Sequence, residues 1–239
     1  DIDTVVRERW LKKLEEGPAL ASLKKLVKDY GGLLANAAKL RDENLVRETR
    51  PLTDDEAVVA YYPCLPFHIR LLQSILEALR GDRQIDQTAA QSRALLTSIR
   101  SLFMDQNGAR LADAEIGSLV TFDLVYDVIR DVVRKADSAT DQWINGAIAS
   151  LGRSGSVSIA SVAKVIFLLQ HLNPPAQRRL RVSAENVAAL LYPRLGTIWE
   201  PHLKDVREAC EKLVHEHFVA DEPETGYRFY REQEQSFQK

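Results

Sequence analysis

The segment IASVAKVIFLLQHL, at residues 159–172, opens the part of this 239-residue chain whose pattern decides the fold. Its apolar residues recur at helical spacing, so the segment predicts a helix with a strongly apolar face. The Pro174-Pro175 pair ends that helix, and Leu180–Val182 is too short for anything but a β-strand. Ser183 then caps a further helix, with Glu185 in the first turn, where the helix dipole favours an anion.

A longer helix and a hairpin complete this part of the chain. Pro201 lies at the start of the helix, and five apolar positions predict its buried stripe: Leu203, Val206, Cys210, Leu213 and Val214. Phe218–Ala220 and Tyr227–Arg231, separated by an acidic turn, predict a β-hairpin. The order helix, short strand, helix, helix, hairpin is typical of a winged helix-turn-helix domain. An unrelated three-helix bundle with a frayed end is the alternative.

Residues 1–152 predict one helix after another. Apolar spacing and stop signals place these helices at residues 5–14, 18–30, 54–62, 67–80, 89–104 and 121–135, with a shorter one at Trp143. The second ends at Gly31-Gly32, and the third opens on a capping box at Thr53–Glu56. Gly152–Ser156 is small and polar and predicts a flexible linker. We therefore expect a mainly α protein, with a helical bundle at 1–152 and a winged helix at 156–239 that ends in a small β-hairpin wing.

The composition is that of a globular protein, since 45% of the residues are hydrophobic, 28% are charged and the net charge is −2. This balance excludes disorder of the whole chain and argues against a strongly basic nucleic-acid coat protein. No uncharged apolar run approaches the ~20 residues that a membrane span needs, so we expect no membrane partner. Two widely spaced cysteines fit reduced thiols of a cytoplasmic protein. The chain starts at Asp1 and its single methionine is Met104, which leads us to expect a piece of a larger protein.

The motifs of nucleotide and metal chemistry are missing from the sequence. Neither GxxxxGK[ST] nor GxGxxG occurs, and we expect no ATP hydrolysis by this chain alone. Cys210, His215 and His217 are close in sequence but do not share one helix face, so we expect no metal site. Cys64 and His68 form only a weak candidate for a nucleophile and its base. We therefore predict no catalytic residue, cofactor or metal of its own for this chain.

The charge pattern bears on nucleic-acid binding. Residues 156–239 carry 11 Lys or Arg and 11 Asp or Glu, a net charge of zero. Charges of alternating sign along the predicted recognition helix, and an acidic wing turn, favour a protein-facing or weak backbone-contacting role over specific readout of the major groove. The basic candidates for a contact with nucleic acid or a partner are Arg178, Arg179, Arg181, Arg194, Lys204 and Arg207.

Several short motifs resemble those of one protein family. They are YPCLPFH at 62–68 with LLQ at 71–73, QSRALL at 91–96, ENVAALL at 185–191 and YRF at 227–229. They look like segments of the large P-loop ATPases of the BREX phage-defence systems (BrxC/PglY-like) and their AAA+-related cousins. In that family a Tyr-Pro-x-Leu-Pro segment opens the helical part behind the ATPase core, and a winged-helix-like domain follows. The stretch VVRERWLKK at 5–13 looks like the link that leaves the core.

The resemblance implies a C-terminal fragment that lacks the ATPase core, with a lid-like region at 1–152. It implies a nucleotide-sensing role for Arg93, with Arg100 in reserve, because an arginine of AAA+ lids reaches the γ-phosphate. The alternative is that Arg93 is an ordinary surface arginine on an amphipathic helix. ATP and Mg²⁺ would belong to the parent protein. The implied partners are the N-terminal ATPase core, other defence-system proteins, DNA and a second copy of the chain.

Three function hypotheses follow. The leading one is a regulatory lid and winged-helix fragment of a bacterial or archaeal antiviral ATPase, which couples nucleotide state to DNA or partner binding. The second is a winged-helix transcription regulator with a helical sensing or dimerisation domain. The third and weakest is an enzyme built on Cys64 and His68.

Overall fold

The computed structural model describes residues 17–37, 55–80, 96–103, 114–172 and 180–230, together with positions 4, 6, 8, 11 and 111. This part of the chain is mainly helical, as predicted. The α-helices are α1 Pro18–Ala37, α2 Asp55–Tyr61, α3 His68–Arg80, α4 Phe122–Val128, α5 Arg130–Ala136, α6 Ser138–Trp143, α7 Ile159–His171, α8 Ala184–Leu190 and α9 Trp199–His215. Residues 96–103 are also helical, and Ile144–Ile148 forms a π-helical turn after α6.

Two small antiparallel hairpins accompany the helices in the described part of the chain. The first pairs β1 Arg153–Ser154 with β2 Val157–Ser158, and the second pairs β3 Val219–Glu222 with β4 Gly226–Phe229. Val182 forms a single bridge to Gly226, so the predicted strand at 180–182 is reduced to one residue beside the second hairpin. None of the helices in the described ranges has both the length and the apolar character that crossing a bilayer requires.

Helix α1 continues through Gly31-Gly32, where the sequence predicted its end. Each glycine costs a helix interior about 1 kcal/mol relative to alanine. Leu34, which lies beyond the pair, is fully buried on the same stripe as Leu23 and Val27. Burying one such leucine contributes about 1.5–3 kcal/mol, which offsets the cost of the glycines. Packing against the core therefore overrides the local stop signal.

The predicted helix at 121–135 is divided into α4 and α5 at Ile129. Val132 donates a hydrogen bond to the Ile129 carbonyl three residues back, which marks a tightened turn of the 3₁₀ type. Both pieces still bury apolar side chains, including Phe122, Val125 and Val133. The apolar pattern that crosses the break is therefore continuous, although the backbone hydrogen bonding is not.

The segment predicted as a flexible linker, Gly152–Ser156, forms the β1–β2 hairpin. Its stem is closed by a hydrogen bond from the Ile159 amide to the Gly152 carbonyl at 3.1 Å. Glycine at position 155 adopts φ +51°, a conformation that other residues rarely take. The small residues that indicated flexibility are thus the ones that a tight turn needs. The predicted division of the chain at 152–156 stays a prediction.

Helix α7 is the centre of the core. Its residues Val162, Val165, Ile166 and Leu169 are fully buried. The helix packs against α3, α4, α8, α9, β4 and the π-helical turn. This arrangement explains why the segment at 159–172 is apolar almost all round, since a helix enclosed by neighbours has no solvent face to keep polar.

Candidate interaction surface on helix α9

Helix α9 is the longest helix of the C-terminal part and presents its outer side to solvent. Its inner stripe is buried at Leu203, Val206, Cys210 and Leu213, as the spacing predicted, whereas Val214, the fifth predicted member, is half-buried. The imidazole of His202 lies within hydrogen-bonding distance of the Ala188 carbonyl, with Nε2 at 2.9 Å from the oxygen, and so joins α9 to α8. The outer residues of α9 are therefore held in a defined orientation.

One flank of α9 is tied to α8 by an ion pair. The Arg207 guanidinium donates to Glu185 Oε1 at 2.7 Å. Partial burial is the largest single influence on Glu185 and raises its pKa. The hydrogen bonds that the carboxylate accepts, that of Arg207 first, and the positive charge of Arg207 together outweigh burial and hold the pKa below its usual value. Arg207, which the sequence proposed as a contact for nucleic acid or a partner, thus has an internal carboxylate partner.

The other flank of α9 carries the β1–β2 hairpin. Asp205 Oδ2 accepts two hydrogen bonds from Ser156, one from the amide and one from the hydroxyl, each at 2.7 Å. These two bonds lower the pKa of Asp205, and the bond from the Ser156 amide has the larger effect. One turn on, Glu208 Oε2 accepts from the Ser154 hydroxyl at 3.0 Å. The hairpin therefore occupies two of the outward carboxylates of α9.

The ridge between the two flanks is of mixed charge. Lys204, the second proposed contact residue on α9, is exposed and lies 3.8 Å from Glu208. Glu200, Glu211 and His215 are exposed along the same ridge. A DNA-reading helix would present unpaired cations to the phosphates, whereas both basic candidates on α9 face carboxylates of this chain.

The β3–β4 hairpin adds negative charge next to α9. Asp221 and Glu224 are exposed at its tip, and the half-buried Glu222 accepts from Arg228 Nε at 2.7 Å. The Thr225 hydroxyl donates to the same glutamate at 2.7 Å. The hairpin is thus internally braced and acidic, which disfavours a close approach to a phosphate backbone.

The remaining candidate residues are dispersed. Arg181 is exposed next to the Val182 bridge, and Arg100 is exposed on the helical stretch 96–103. Arg194 is exposed and lies 3.5 Å from Glu115. Among the candidates that the structure describes, only Lys204 and Arg207 share one element. The candidates that fall outside the described residues are Arg93, Arg178 and Arg179.

A buried polar network that the sequence analysis did not identify links α4, α5, α6 and the π-helical turn. Asp141, only 2% exposed, accepts from the Tyr126 hydroxyl at 2.9 Å, from Arg130 Nε at 3.0 Å and from Asn145 Nδ2 at 2.9 Å. A signal was present, because Tyr126 and Arg130, like Asp141 and Asn145, are four residues apart and share a helix face. The network satisfies the buried carboxylate, so we assign it a structural role.

The Cys64 and His68 pair is enclosed in the core. Both side chains are buried. His68 Nδ1 accepts from the Leu65 amide at 3.2 Å, so a neutral ring carries its proton on Nε2. Burial lowers the pKa of His68 to about 3, which keeps the ring neutral at pH 7. A nucleophile and base enclosed in this way cannot reach a substrate in solution.

The buried His68 predicts acid sensitivity. Below pH 6.5 the unfolded chain binds a proton at this residue, whereas the folded chain does so only near pH 3, so stability falls as the pH falls between these values. We expect this residue alone to reduce the free energy of unfolding by about 2 kcal/mol between pH 7 and pH 5. Urea unfolding of the wild type and of His68→Gln at both pH values measures this contribution. Glutamine is chosen because its side-chain oxygen can still accept the hydrogen bond from the Leu65 amide.

A matched control for this measurement is His215→Gln, because His215 is exposed at the end of α9. The control should keep the pH dependence of the wild type. Equal pH dependence of wild type and His68→Gln would show that His68 is protonated in the folded protein as readily as in the unfolded chain.

Comparisons with known proteins do not assign the chain to a family. No family model matches it. No solved structure matches it at a significant level. In the described ranges, no three or more His, Cys, Asp or Glu side chains lie together in a way that could hold a metal ion. The surface of α9 is therefore interpreted on its own geometry.

Proposed function

We propose that this chain is the lid-like and winged-helix portion of a large P-loop ATPase of an antiviral defence system, related to the BREX ATPases that its motifs resemble. In this proposal it acts in the cytoplasm and couples the nucleotide state of an ATPase core to the binding of a partner. ATP and Mg²⁺ are bound by the parent protein. The chain itself contributes conformational coupling and no catalytic residue.

The observation that carries the winged-helix part of the proposal is the order and contact of the C-terminal elements. Helix α7 is followed by Val182, which bridges to β4, and then by α8, α9 and the β3–β4 hairpin. The Val182 amide donates to the Thr225 carbonyl at 2.9 Å, and the Tyr227 amide donates to the Val182 carbonyl at 2.8 Å. A single bridging residue beside the β3–β4 hairpin, with two helices between them in the sequence, supports a winged helix.

The charges of α9 favour a protein partner over DNA. Arg207 is paired with Glu185, and Lys204 faces Glu208. The nearby hairpin tip carries Asp221 as an exposed carboxylate. Because DNA affinity comes largely from cations that replace counterions on the phosphates, a surface that neutralises its own cations binds DNA weakly.

The coupling role is tested by Arg93→Ala in the parent ATPase. If Arg93 contacts the γ-phosphate, its loss should lower ATP turnover by about 10²–10³-fold, because one preorganised donor to the reacting group is removed. Lys28→Ala, on the exposed side of α1, is the matched control and should leave turnover unchanged. Unchanged turnover in Arg93→Ala would remove that residue from the mechanism, and a loss in Arg100→Ala instead would transfer the role to Arg100.

Binding to duplex DNA distinguishes the proposal from a winged-helix transcription regulator. We expect the purified chain to bind a fluorescently labelled duplex no more tightly than about 10⁻⁶ M at physiological salt, without sequence preference. Fluorescence anisotropy at two salt concentrations, with specific and scrambled duplexes, measures this. Submicromolar and sequence-specific binding would favour the regulator. In that case Arg181→Ala and Arg194→Ala would show whether either arginine contacts the duplex.

A further inference from the structure

Three large apolar side chains of the described ranges are exposed, and all of them lie at one junction. Tyr30 on α1 is 37% exposed, Ile116 is 39% exposed and Ile198 is 65% exposed. A Cβ atom on Gly196 would lie 3.2 Å from the Tyr30 ring, and Ile198 follows two residues later. Ile116 precedes Gly117, whose carbonyl accepts from the amide of the residue before Gly196 at 2.8 Å. Single exposed apolar residues are common, whereas a group such as this junction patch marks an interaction site.

Two tight turns hold the junction patch in place. One is closed by the Thr197 amide, which donates to the Arg194 carbonyl at 3.2 Å, and it leads into α9. The other has Ile116 at its corner, and its Gly117 amide donates to the Tyr62 hydroxyl at 2.8 Å. The patch is therefore ordered before any partner binds, which lowers the entropic cost of association.

Ile198 is a poor residue for its local position. It is the N-cap of α9, with an extended backbone and no hydrogen bond from its side chain to the first turn. Asp, Asn, Ser and Thr are preferred at an N-cap because their side-chain oxygen accepts from an amide of that turn, and isoleucine is among the least favourable residues. The chain thus keeps an exposed isoleucine where a polar residue would stabilise the helix. Such departures from local preference are expected at functional sites.

The charges around the junction patch indicate which partner fits it. Glu115 is 81% exposed and Arg194 is 56% exposed, and these side chains of opposite sign lie 3.5 Å apart at the edge of the patch. Lys28, Asp29 and Glu200 are exposed next to members of the patch, so its rim carries both signs. A rim of one sign would repel a second copy of the chain. This rim is complementary to itself, since a two-fold axis can place Glu115 of one copy against Arg194 of the other, twice.

We propose that the junction patch is the contact of a symmetric homodimer, in which two copies of this chain bury Tyr30, Ile116 and Ile198 against each other. Glu115 of each copy pairs with Arg194 of the other. A contact centred on three large side chains is small beside the ~800 Å² per partner of a stable complex, so the dimer is weak and reversible. Its dissociation constant is expected to be about 10⁻⁵–10⁻⁴ M. The inference goes beyond the proposed function and does not rest on it.

Sedimentation equilibrium of the full chain, from about 5 to about 500 µM, measures the association, and the wild type should be mostly dimeric at the upper concentration. Ile198→Asp should weaken the dimer at least about tenfold, because it places a carboxylate in the apolar contact. The same substitution should raise the melting temperature of the dilute chain by about 2–4 °C, because aspartate caps α9. A side chain that served folding alone would lower the melting temperature when it is replaced.

Charge reversal tests whether the partner is a second copy. Glu115→Arg and Arg194→Glu should each weaken the dimer at least about tenfold, because each variant places like charges against each other twice. An equal mixture of the two variants should associate about as tightly as the wild type, since the opposite charges then face each other. Glu211→Arg is the matched control, because Glu211 is exposed on the same helix about 20 Å from Ile198. It should dimerise like the wild type.

A wild-type chain that stays monomeric at the upper concentration overturns the proposal and leaves the junction patch to a different protein. A dimer that Ile198→Asp does not weaken overturns it as well, because the contact then lies elsewhere. So does a mixture of the two charge-reversed variants that fails to associate. None of these measurements uses nucleotide or DNA, so their failure is distinct from failure of the ATPase and DNA tests.

Discussion

Replacing Gly226 with alanine is expected to lower the free energy of unfolding by about 3 kcal/mol. Gly226 adopts φ +81°, and an added Cβ atom would lie 2.2 Å from the backbone carbonyl oxygen of Val182. That oxygen cannot turn away, because it accepts from the Tyr227 amide while the Val182 amide donates to Thr225. The alanine must therefore break the bridge that joins residue 182 to the hairpin, in addition to the strain of a positive φ.

Gly152→Ala separates the two contributions. Gly152 has a similar φ of +78°, but nothing lies within 4 Å of an added Cβ atom. Only the backbone strain acts there, so the free energy of unfolding should fall by about 1 kcal/mol. Urea unfolding followed by circular dichroism measures both variants. Equal shifts of the midpoint would show that the contact between Gly226 and Val182 contributes nothing beyond backbone strain.

Replacing Asp141 with alanine is expected to cost about 3 kcal/mol of stability, because it removes the charged centre of the buried network. The Tyr126 hydroxyl would lose its acceptor inside the core. Burial, together with the neighbouring Asp141 carboxylate, raises the pKa of Tyr126, so this group stays a protonated donor that needs an acceptor. Arg130 would lose its carboxylate partner at the same time. Leaving buried polar groups without partners is the main source of the cost.

Asp127→Asn is the matched control for this substitution. Asp127 pairs with Lys164 at 2.8 Å, and the Asp127 side chain is 47% exposed while that of Lys164 is 15% exposed. Because Asp127 is much more exposed than Asp141 and the asparagine oxygen can still accept from Lys164, the control should cost clearly less stability than Asp141→Ala. Thermal unfolding of wild type, Asp127→Asn, the single variants Asp141→Ala and Arg130→Ala, and the double variant Arg130→Ala/Asp141→Ala provides the comparison. Full additivity of the two network substitutions would contradict the direct coupling of Arg130 to Asp141.

Long amphipathic elements were predicted correctly from the sequence. Helices α3, α7 and α9 lie close to the predicted positions, and the hairpin at 219–229 was anticipated from its turn. Their apolar residues recur with the period of the element over several turns, and this repetition outweighs local preferences. The spacing along α9 also placed Lys204 and Arg207 on the outer side of one helix, where the structure has them.

Short-range signals were less informative. Gly31-Gly32 indicated a helix end, and Gly152–Ser156 indicated a flexible linker, yet the first lies inside α1 and the second is an ordered turn. Glycine and serine permit several conformations, so their neighbours in space select among them. The carboxylate partner of Arg207 could not be predicted from the sequence either. Glu185 lies 22 residues from Arg207, and the pairing depends on how α8 packs against α9.

The amino-acid sequence was sufficient to predict a mainly helical protein, the positions of its principal helices and the faces that these helices bury. Those properties follow from the spacing of apolar residues, which repeats with the period of the helix and can be read from neighbouring positions in the sequence. Packing of the helices was needed to show that Asp141 is buried against Tyr126, Arg130 and Asn145, and that the hairpin at 153–158 is hydrogen-bonded to α9. Such contacts join residues from separate elements, so their geometry exists only once the helices have packed together.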